Sequence, residues 1–268
     1  MKTKIYILTY KGFNRLNKTL KSVFESDYAD NECEINIINN HTEIRIDEQY
    51  NKRVNILNNN LQADFSTGHM SRNWNQALIL GFENLNNPKS DLVITLQDDV
   101  ILHNQWYGKL INLHNKYNFV QNGHGDAICS YTPEAVKKVG LWDERFLMGK
   151  QCADYFFRHL MYNWDYCTIN DPIHQRIHNP IFNDDIKSSF EYLVVDNFMG
   201  DHWPDPTFDL EIANKVIDYK YGSESVIAPW TVQVKNNAKI FKFNKTNFIT
   251  YSYFEKDIYN LEQKGYVL

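Results

Sequence analysis

One stretch decides the fold class: Asp91-Leu92-Val93-Ile94-Thr95-Leu96-Gln97-Asp98-Asp99-Val100. Its continuous apolar run is typical of a buried strand in a parallel sheet. The run ends on Asp98 and Asp99, which places two carboxylates where open α/β sheets bind their ligands. Adjacent carboxylates repel each other, and a divalent cation relieves that repulsion. A solvated Asp-Asp turn is the alternative interpretation of this segment alone.

Composition excludes several classes of protein. The chain has 268 residues, 43% of them hydrophobic and 15% aromatic, which predicts a substantial core and not a disordered chain. That length suits one large α/β domain, or one domain with a smaller appendage. The net charge of −5 with no long basic block argues against nucleic acid as a partner.

The cysteines and the hydropathy pattern indicate a cytoplasmic protein. No apolar run has the length of a transmembrane helix, and the N-terminal residues pass straight into a strand pattern. The four cysteines show no paired metal-binding spacing, so we expect reduced thiols. They are Cys33, Cys129, Cys152 and Cys167.

Strand and helix patterns alternate over the first hundred residues. Strands are predicted over 4–9, 34–39, 54–57 and 91–97, with helices over 15–26 and 71–85. This alternation predicts a parallel, doubly wound sheet.

The alternation loosens after Asp99. Helices are predicted over 106–117, from Pro133 onward and over 152–162, and a strand over 126–131. Further along, helices are predicted over 190–198, 210–219 and 254–264, and a strand over 238–243.

Four segments, in order, resemble the motifs of family 2 glycosyltransferases. The segment 5–15 resembles their opening strand and Pro-Thr-Tyr-Asn-Arg loop, and 68–75 resembles their Gly-x-x-x-Ala-Arg-Asn segment. Leu96-Gln97-Asp98-Asp99 stands where they carry Asp-x-Asp, and Val139-Gly140-Leu141-Trp142-Asp143-Glu144-Arg145-Phe146 resembles their Val-Gly-Gly-Phe-Asp-Glu-x-Phe segment. Their order and spacing over about residues 4–160 make the resemblance specific.

The resemblance implies a Rossmann-like GT-A fold: a mostly parallel central sheet flanked by helices, followed by a mainly helical C-terminal extension. We expect a nucleotide-sugar-binding and catalytic domain over 1–180. The extension, 181–268, would serve acceptor binding or oligomerisation.

The resemblance also implies a donor site with a divalent metal. Its donor-binding residues would be Thr9, Tyr10, Arg15, Asn39, Arg72, Asn73 and Asp98. Asp99 and His178 are the implied ligands of Mn²⁺ or Mg²⁺, since oxygen ligands favour hard ions. The alternatives are less specific: Thr9 and Tyr10 would simply end a strand, Arg72 would be a surface charge, and His178 would be structural or solvated.

The acceptor side departs from the family pattern Glu-Asp-x-Asp-x-x-x-Arg. In the gap-free register Cys152 occupies the place of the general base, and a protonated thiol is a poor base. Asp154 is the nearest carboxylate, and we predict it as the base that accepts the acceptor's hydroxyl proton. The alternative is an ion pair of Asp154 with Arg158, four residues later on a helix.

The predicted function is therefore that of an inverting glycosyltransferase. It would move a sugar from a nucleotide-diphosphate sugar, with a UDP-sugar favoured, onto a glycan or lipid-linked acceptor. Two alternatives stay open: a catalytically impaired nucleotide-sugar-binding relative, and a nucleotidyltransferase. The latter is disfavoured because the loop after the first strand holds one glycine, Gly12, and is not a glycine-rich triphosphate loop.

Overall fold

The strands and helices alternate along the first half of the chain, as predicted. The computed structural model describes residues 1–28, 32–59, 70–123, 125–146, 149–162, 166–169, 193–197, 210–227, 234–241 and 260–266. Within these ranges the strands are β1 (Thr3–Thr9), β2 (Cys33–Asn39), β3 (Asn55–Asn58), β4 (Leu92–Gln97), β5 (Val100–Leu102), β6 (Phe119–Asn122), β7 (Ile128–Tyr131), β8 (Tyr166–Ile169) and β9 (Val194–Asn197). The helices are α1 (Phe13–Phe24), α2 (Glu48–Asn51), α3 (Met70–Phe82), α4 (Trp106–His114), α5 (Pro133–Val139), α6 (Gln151–Tyr162), α7 (Leu210–Tyr221), α8 (Glu224–Ile227) and α9 (Val234–Ile240).

The central sheet is mixed but mostly parallel. Its order is β3-β2-β1-β4-β7-β6-β8, and β3, β2, β1 and β4 run parallel. Strand β7 is antiparallel to both β4 and β6, whereas β6 and β8 are parallel. A second sheet pairs β5 with β9. The predicted α/β class with a mostly parallel sheet is confirmed.

Helices cover both faces of the sheet because alternate residues of β1 point to opposite sides. Ile5 and Ile7 belong to one hydrophobic cluster with Leu16 and Leu20 of α1. Tyr6 and Leu8 belong to the other, which contains Trp74 and Leu78 of α3. A strand buried on both faces needs apolar residues at every position, which explains the continuous apolar runs of β1 and β4.

The described part of the C-terminal region is mainly helical, as expected. Ala213, Ile217 and Tyr221 of α7 lie in the hydrophobic cluster that also contains Trp142 and Tyr155. This region therefore packs onto the same core as the preceding α/β unit. The boundary at residue 180 stays a prediction.

Two predictions for the C-terminal half were wrong. The helix predicted over 190–198 is contradicted by β9, whose residues pair antiparallel with β5. Strand pairing suits β-branched residue types, such as Val194 and Val195, better than a helix does. The strand predicted from Ala238 is contradicted by α9, which ends at Ile240. None of the helices in the described ranges is long and apolar enough to cross a membrane.

Candidate functional site

Three neighbouring strands end together at one edge of the sheet. Thr9, at the end of β1, is in register with Asn39 of β2, and Leu8 is in register with Gln97 of β4. The turn after β4 brings Asp98 and Asp99 to this edge, so the polar residues predicted at three separate strand ends lie side by side.

A buried carboxylate links the ends of β1 and β4. Asp98 Oδ2 accepts a hydrogen bond from the Thr9 hydroxyl at 2.6 Å, and Asp98 Oδ1 lies 3.5 Å from Arg15 Nε. A Cβ atom on Gly12 would collide with both Asp98 and Arg15, so the close approach requires glycine. The structure therefore brings together three of the predicted donor-binding residues, Thr9, Arg15 and Asp98.

The loop after β2 carries an aromatic group that the sequence analysis missed. Asn39 Nδ2 donates to the His41 carbonyl at 2.8 Å, and Asn39 Oδ1 accepts from the His41 amide at 3.1 Å. This local pair positions the His41 ring edge-on to Tyr10, with centroids 5.8 Å apart, and edge-on to Phe13, at 6.2 Å. His41 was missed because its contacts with Tyr10 and Phe13 depend on how the loop after β2 meets the start of α1.

Asp99 is buried at this edge of the sheet. Its side chain is 1% exposed, and the Thr19 hydroxyl of α1 donates to the Asp98 carbonyl at 2.9 Å, which fixes the turn.

Within the described ranges, no three His, Cys, Asp or Glu side chains form a metal-binding group. His178 lies outside the described residues, as do Gly68 and His69 of the predicted Arg-Asn segment.

Asp99 nevertheless fits one kind of metal site. Mg²⁺ is often bound by one or two carboxylates together with substrate phosphates, without a complete set of protein ligands. Asp99 directly follows Asp98, whose carboxylate pairs with Arg15, so the chain supplies an oxygen donor for such a metal and a cation for a phosphorylated ligand.

Helix α3 presents the other predicted donor-binding residues. Arg72 Nε lies 3.4 Å from Glu144 Oε2, and its side chain is partly exposed. Asn73 is buried and accepts a hydrogen bond from Asn59 at 3.3 Å. Burial raises the pKa of Glu144, although Asn75, at 2.9 Å, and Arg72 oppose that rise. Arg72 therefore joins the segment that contains Glu144 to α3, whereas Asn73 joins α3 to the end of β3.

Asp154 lies inside a buried ionic cluster. Its carboxylate is 1% exposed; Oδ2 accepts from Arg158 Nε at 3.1 Å, and Oδ1 accepts from the Tyr221 hydroxyl at 2.6 Å and from Lys220. The alternative interpretation, an ion pair with Arg158 on one helix, is confirmed. Donors from the protein itself thus occupy both oxygens of the carboxylate. The base role of Asp154 stays a prediction, and these contacts argue against it.

Cys152, in the gap-free base position, is poorly suited to act as a base. Burial and the nearby Asp126 carboxylate raise the pKa of its thiol to about 12. At neutral pH the thiol is therefore protonated, as the sequence analysis expected.

A further buried carboxylate, Asp126, was missed because it stands just before β7 and outside the four motifs. It accepts hydrogen bonds from Trp74 Nε1 at 2.6 Å, from Gln97 Nε2 at 2.8 Å and from Gln151 Nε2 at 3.4 Å. Asp126 thus connects α3, the end of β4 and the start of α6.

GT-A glycosyltransferases are among the solved structures that resemble this chain over about 63% of its length. S. aureus TarS (residues 1–349) is 12% identical with a TM-score of 0.47, over 63% of this chain and 58% of that one. The mannosyltransferase PcManGT from Pyrobaculum calidifontis, solved with GDP-Man and Mn²⁺, is 11% identical with a TM-score of 0.41, over 64% and 55%. Glucosyl-3-phosphoglycerate synthase from Mycobacterium tuberculosis, solved with Mn²⁺, UDP and phosphoglyceric acid, is 10% identical with a TM-score of 0.42, over 63% and 68%.

No family model and no curated protein matches the chain. The chain spans 58% of the length of the TarS fragment. At these identities and TM-scores the likeness concerns the fold alone.

Proposed function

We propose that this protein is a glycosyltransferase that binds a nucleotide-diphosphate sugar at the carboxyl edge of β1, β2 and β4. The observation that carries the proposal is the Thr9–Asp98–Arg15 cluster beside Asp99. This cluster joins the Arg15 guanidinium, which suits a diphosphate, with a carboxylate that suits a hard metal ion.

Two of the predicted donor-binding residues, Arg15 and Arg72, are each oriented by a carboxylate. Arg15 pairs with Asp98 and Arg72 with Glu144, and both guanidinium groups are partly exposed. A guanidinium that is already held in place loses less side-chain entropy when it donates hydrogen bonds to phosphate oxygens. We propose that Arg15 and Arg72 bind the diphosphate, and that the aromatic group of Tyr10, Phe13 and His41 contacts the nucleobase.

Asp99 would hold Mn²⁺ or Mg²⁺. When bound, such an ion neutralises the negative charge that develops on a diphosphate leaving group. Thr9 and Thr19 keep the Asp98–Asp99 turn in place through their hydrogen bonds to Asp98. The turn is therefore preorganised for the ion and the phosphates.

A catalytically impaired nucleotide-sugar-binding protein is the second candidate. It is favoured by the raised pKa of the Cys152 thiol and by the contacts that engage Asp154 with Arg158 and Lys220. Both candidates share the donor site and differ in turnover.

Incubation with UDP- and GDP-sugars plus Mn²⁺ separates the candidates. Transfer or hydrolysis, followed by release of the nucleoside diphosphate, supports the glycosyltransferase. Saturable binding without turnover supports the impaired relative. Pyrophosphate release from a nucleoside triphosphate and a sugar phosphate would identify a nucleotidyltransferase, and absence of nucleotide binding would reject all three.

A further inference from the structure

Asp126 and Gln97 occupy adjacent strand ends. The antiparallel pairing of β4 and β7 continues past Leu96 and Ile128, because the Gln97 amide donates to the Ala127 carbonyl at 3.0 Å. Asp126 directly precedes Ala127, and its carboxylate accepts a hydrogen bond from Gln97 Nε2. A carboxylate that belongs to no predicted motif thus lies beside the proposed donor site.

Asp126 fixes the orientation of two glutamine amides. An ionised carboxylate can only accept hydrogen bonds, so an amide that contacts it must present its NH₂ group. Gln97 and Gln151 both do so, at 2.8 Å and 3.4 Å. Their carbonyl oxygens are consequently directed away from Asp126 and held as hydrogen-bond acceptors.

One of these carbonyl oxygens is buried without a partner. Gln151 is 6% exposed, and its Oε1 accepts no hydrogen bond from the residues that the structure describes. Gln97 is partly exposed at the sheet edge. A buried acceptor without a donor is costly, so such an atom is typical of a site whose donor arrives with a ligand.

We infer that Asp126 is a positioning residue which turns the carbonyl oxygens of Gln97 and Gln151 toward hydroxyl groups of the bound nucleotide sugar. The inference rests on the proposed function and assigns its hydroxyl-binding subsite. Oriented neutral acceptors suit the hydroxyl groups of a sugar ring or of the ribose, and add no second negative charge next to the diphosphate.

The two oxygens of the Asp126 carboxylate contact different partners, which permits a test in which the donor and acceptor groups of Asp126 and Gln97 are exchanged. Gln97 contacts Oδ1, whereas Trp74 and Gln151 contact Oδ2. In Asp126→Asn the amide oxygen can keep the Trp74 and Gln151 contacts, and its NH₂ group then faces Gln97. Gln97 must turn its own amide over, which presents a donor where the ligand needs an acceptor.

The double variant Asp126→Asn with Gln97→Glu restores the pattern. The NH₂ group of the introduced asparagine can donate to one oxygen of the introduced glutamate, whose other oxygen again accepts from the ligand. Gln97→Glu alone places two carboxylates together and disturbs the subsite. Asp218→Asn, on the exposed side of α7, is the matched control for the loss of one carboxylate.

The experiment measures binding of UDP, UDP-glucose, UDP-N-acetylglucosamine, 2′-deoxy-UDP, GDP and GDP-mannose by calorimetry, with Mn²⁺. We expect Asp126→Asn to weaken binding of the best wild-type probe roughly tenfold to a hundredfold. The double variant should recover most of that loss, and Asp218→Asn should match wild type.

The probes identify the hydroxyl group. A loss confined to the nucleotide sugars assigns the subsite to the transferred sugar. A loss shared by UDP or GDP and absent for 2′-deoxy-UDP assigns it to the ribose; both outcomes support the inference. Unchanged binding in Asp126→Asn, or no recovery in the double variant with both proteins folded by circular dichroism, overturns it. If no probe binds wild type, the proposed function itself has failed.

Discussion

The Lys220 ammonium lies 2.8 Å from Asp143 Oδ2 and also contacts Asp154, with no part of its side chain exposed. Lys220 belongs to α7, Asp154 to α6, and Asp143 to the segment that Asn75 joins to α3 through Trp142. The Lys220 ammonium therefore links α7 of the C-terminal region to α6 and to the segment that is joined to α3. We expect this contact to determine stability more than chemistry.

Lys220→Met should strongly destabilise the protein. The substitution leaves Asp143 and Asp154 buried without one of their cations, which typically costs about 3–5 kcal/mol. Lys215→Met is the matched control, since Lys215 pairs with Glu211 on the exposed face of the same helix and should change the free energy of unfolding by at most about 1 kcal/mol. Denaturant unfolding of both variants provides the comparison. Equal effects would show that the buried cluster has no special role.

Asp154→Asn tests the predicted base directly. If Asp154 serves mainly as the partner of Lys220 and Arg158, the variant should lose stability and keep a measurable turnover per folded molecule. If it is the base, turnover should fall by about 10²-fold or more while nucleotide binding is retained. Unfolding curves and initial rates at matched folded concentration distinguish the two results.

Asp99→Ala should abolish the dependence of nucleotide binding on metal. Wild type should bind UDP or GDP more tightly with Mn²⁺ than with EDTA, and the variant should bind equally under both conditions, because the oxygen donor is gone. Asp91→Ala is the control: this exposed residue precedes the other end of β4, where it accepts a hydrogen bond from the Lys2 amide at 2.8 Å. A metal response retained in Asp99→Ala would remove Asp99 from the metal site.

Gly12→Ala should damage the donor edge while the sheet stays intact. The added methyl group collides with Asp98 and Arg15, and overpacking of this kind costs about 1–3 kcal/mol. We expect nucleotide affinity to fall together with a modest drop in melting temperature. Asn14→Ala, an exposed position in the same turn, should leave both unchanged. Wild-type affinity in Gly12→Ala would contradict the role assigned to the Arg15–Asp98 pair.

Stability should fall between pH 6.5 and about 4 because of His114. Burial lowers the pKa of His114 to about 4, although its hydrogen bond with the Tyr117 carbonyl opposes the shift. Because the folded pKa lies below the unfolded value, the unfolded chain binds the proton first. The stabilisation is complete above pH 6.5 and declines as the pH falls, by at most about 3 kcal/mol.

His114→Gln should flatten this decline, and His103→Gln should leave it in place. Melting temperatures between pH 8 and pH 4 provide the measurement. Asp143 acts at lower pH: burial favours its neutral form, but Arg145 and Lys220 outweigh burial and lower its pKa to about 2. Its contribution is present above the ordinary value of 3.8 and is lost as the pH falls toward 2.

The early strands and helices were predictable because their signals are local. Continuous apolar runs marked β1 and β4, and apolar residues at helical spacing marked α1 and α3. Strand β9 was missed because it is short and lies outside the regular alternation of strands and helices that marked β3, which has the same length. Strands β5, β6 and β8 are equally short or shorter.

The sequence by itself determined the α/β class and the candidate donor edge. Residues at the ends of parallel strands meet wherever those strands pair, so Thr9, Asn39 and Asp98 could be grouped before any coordinates existed. Only the tertiary structure decided the surroundings of Asp154 and Asp126. Asp154 meets Lys220 from 66 residues away, and Asp126 meets Gln97 and Gln151 from 29 and 25 residues away. Such contacts leave no periodic trace in the chain, because they depend on how helices and strand ends pack and not on local spacing.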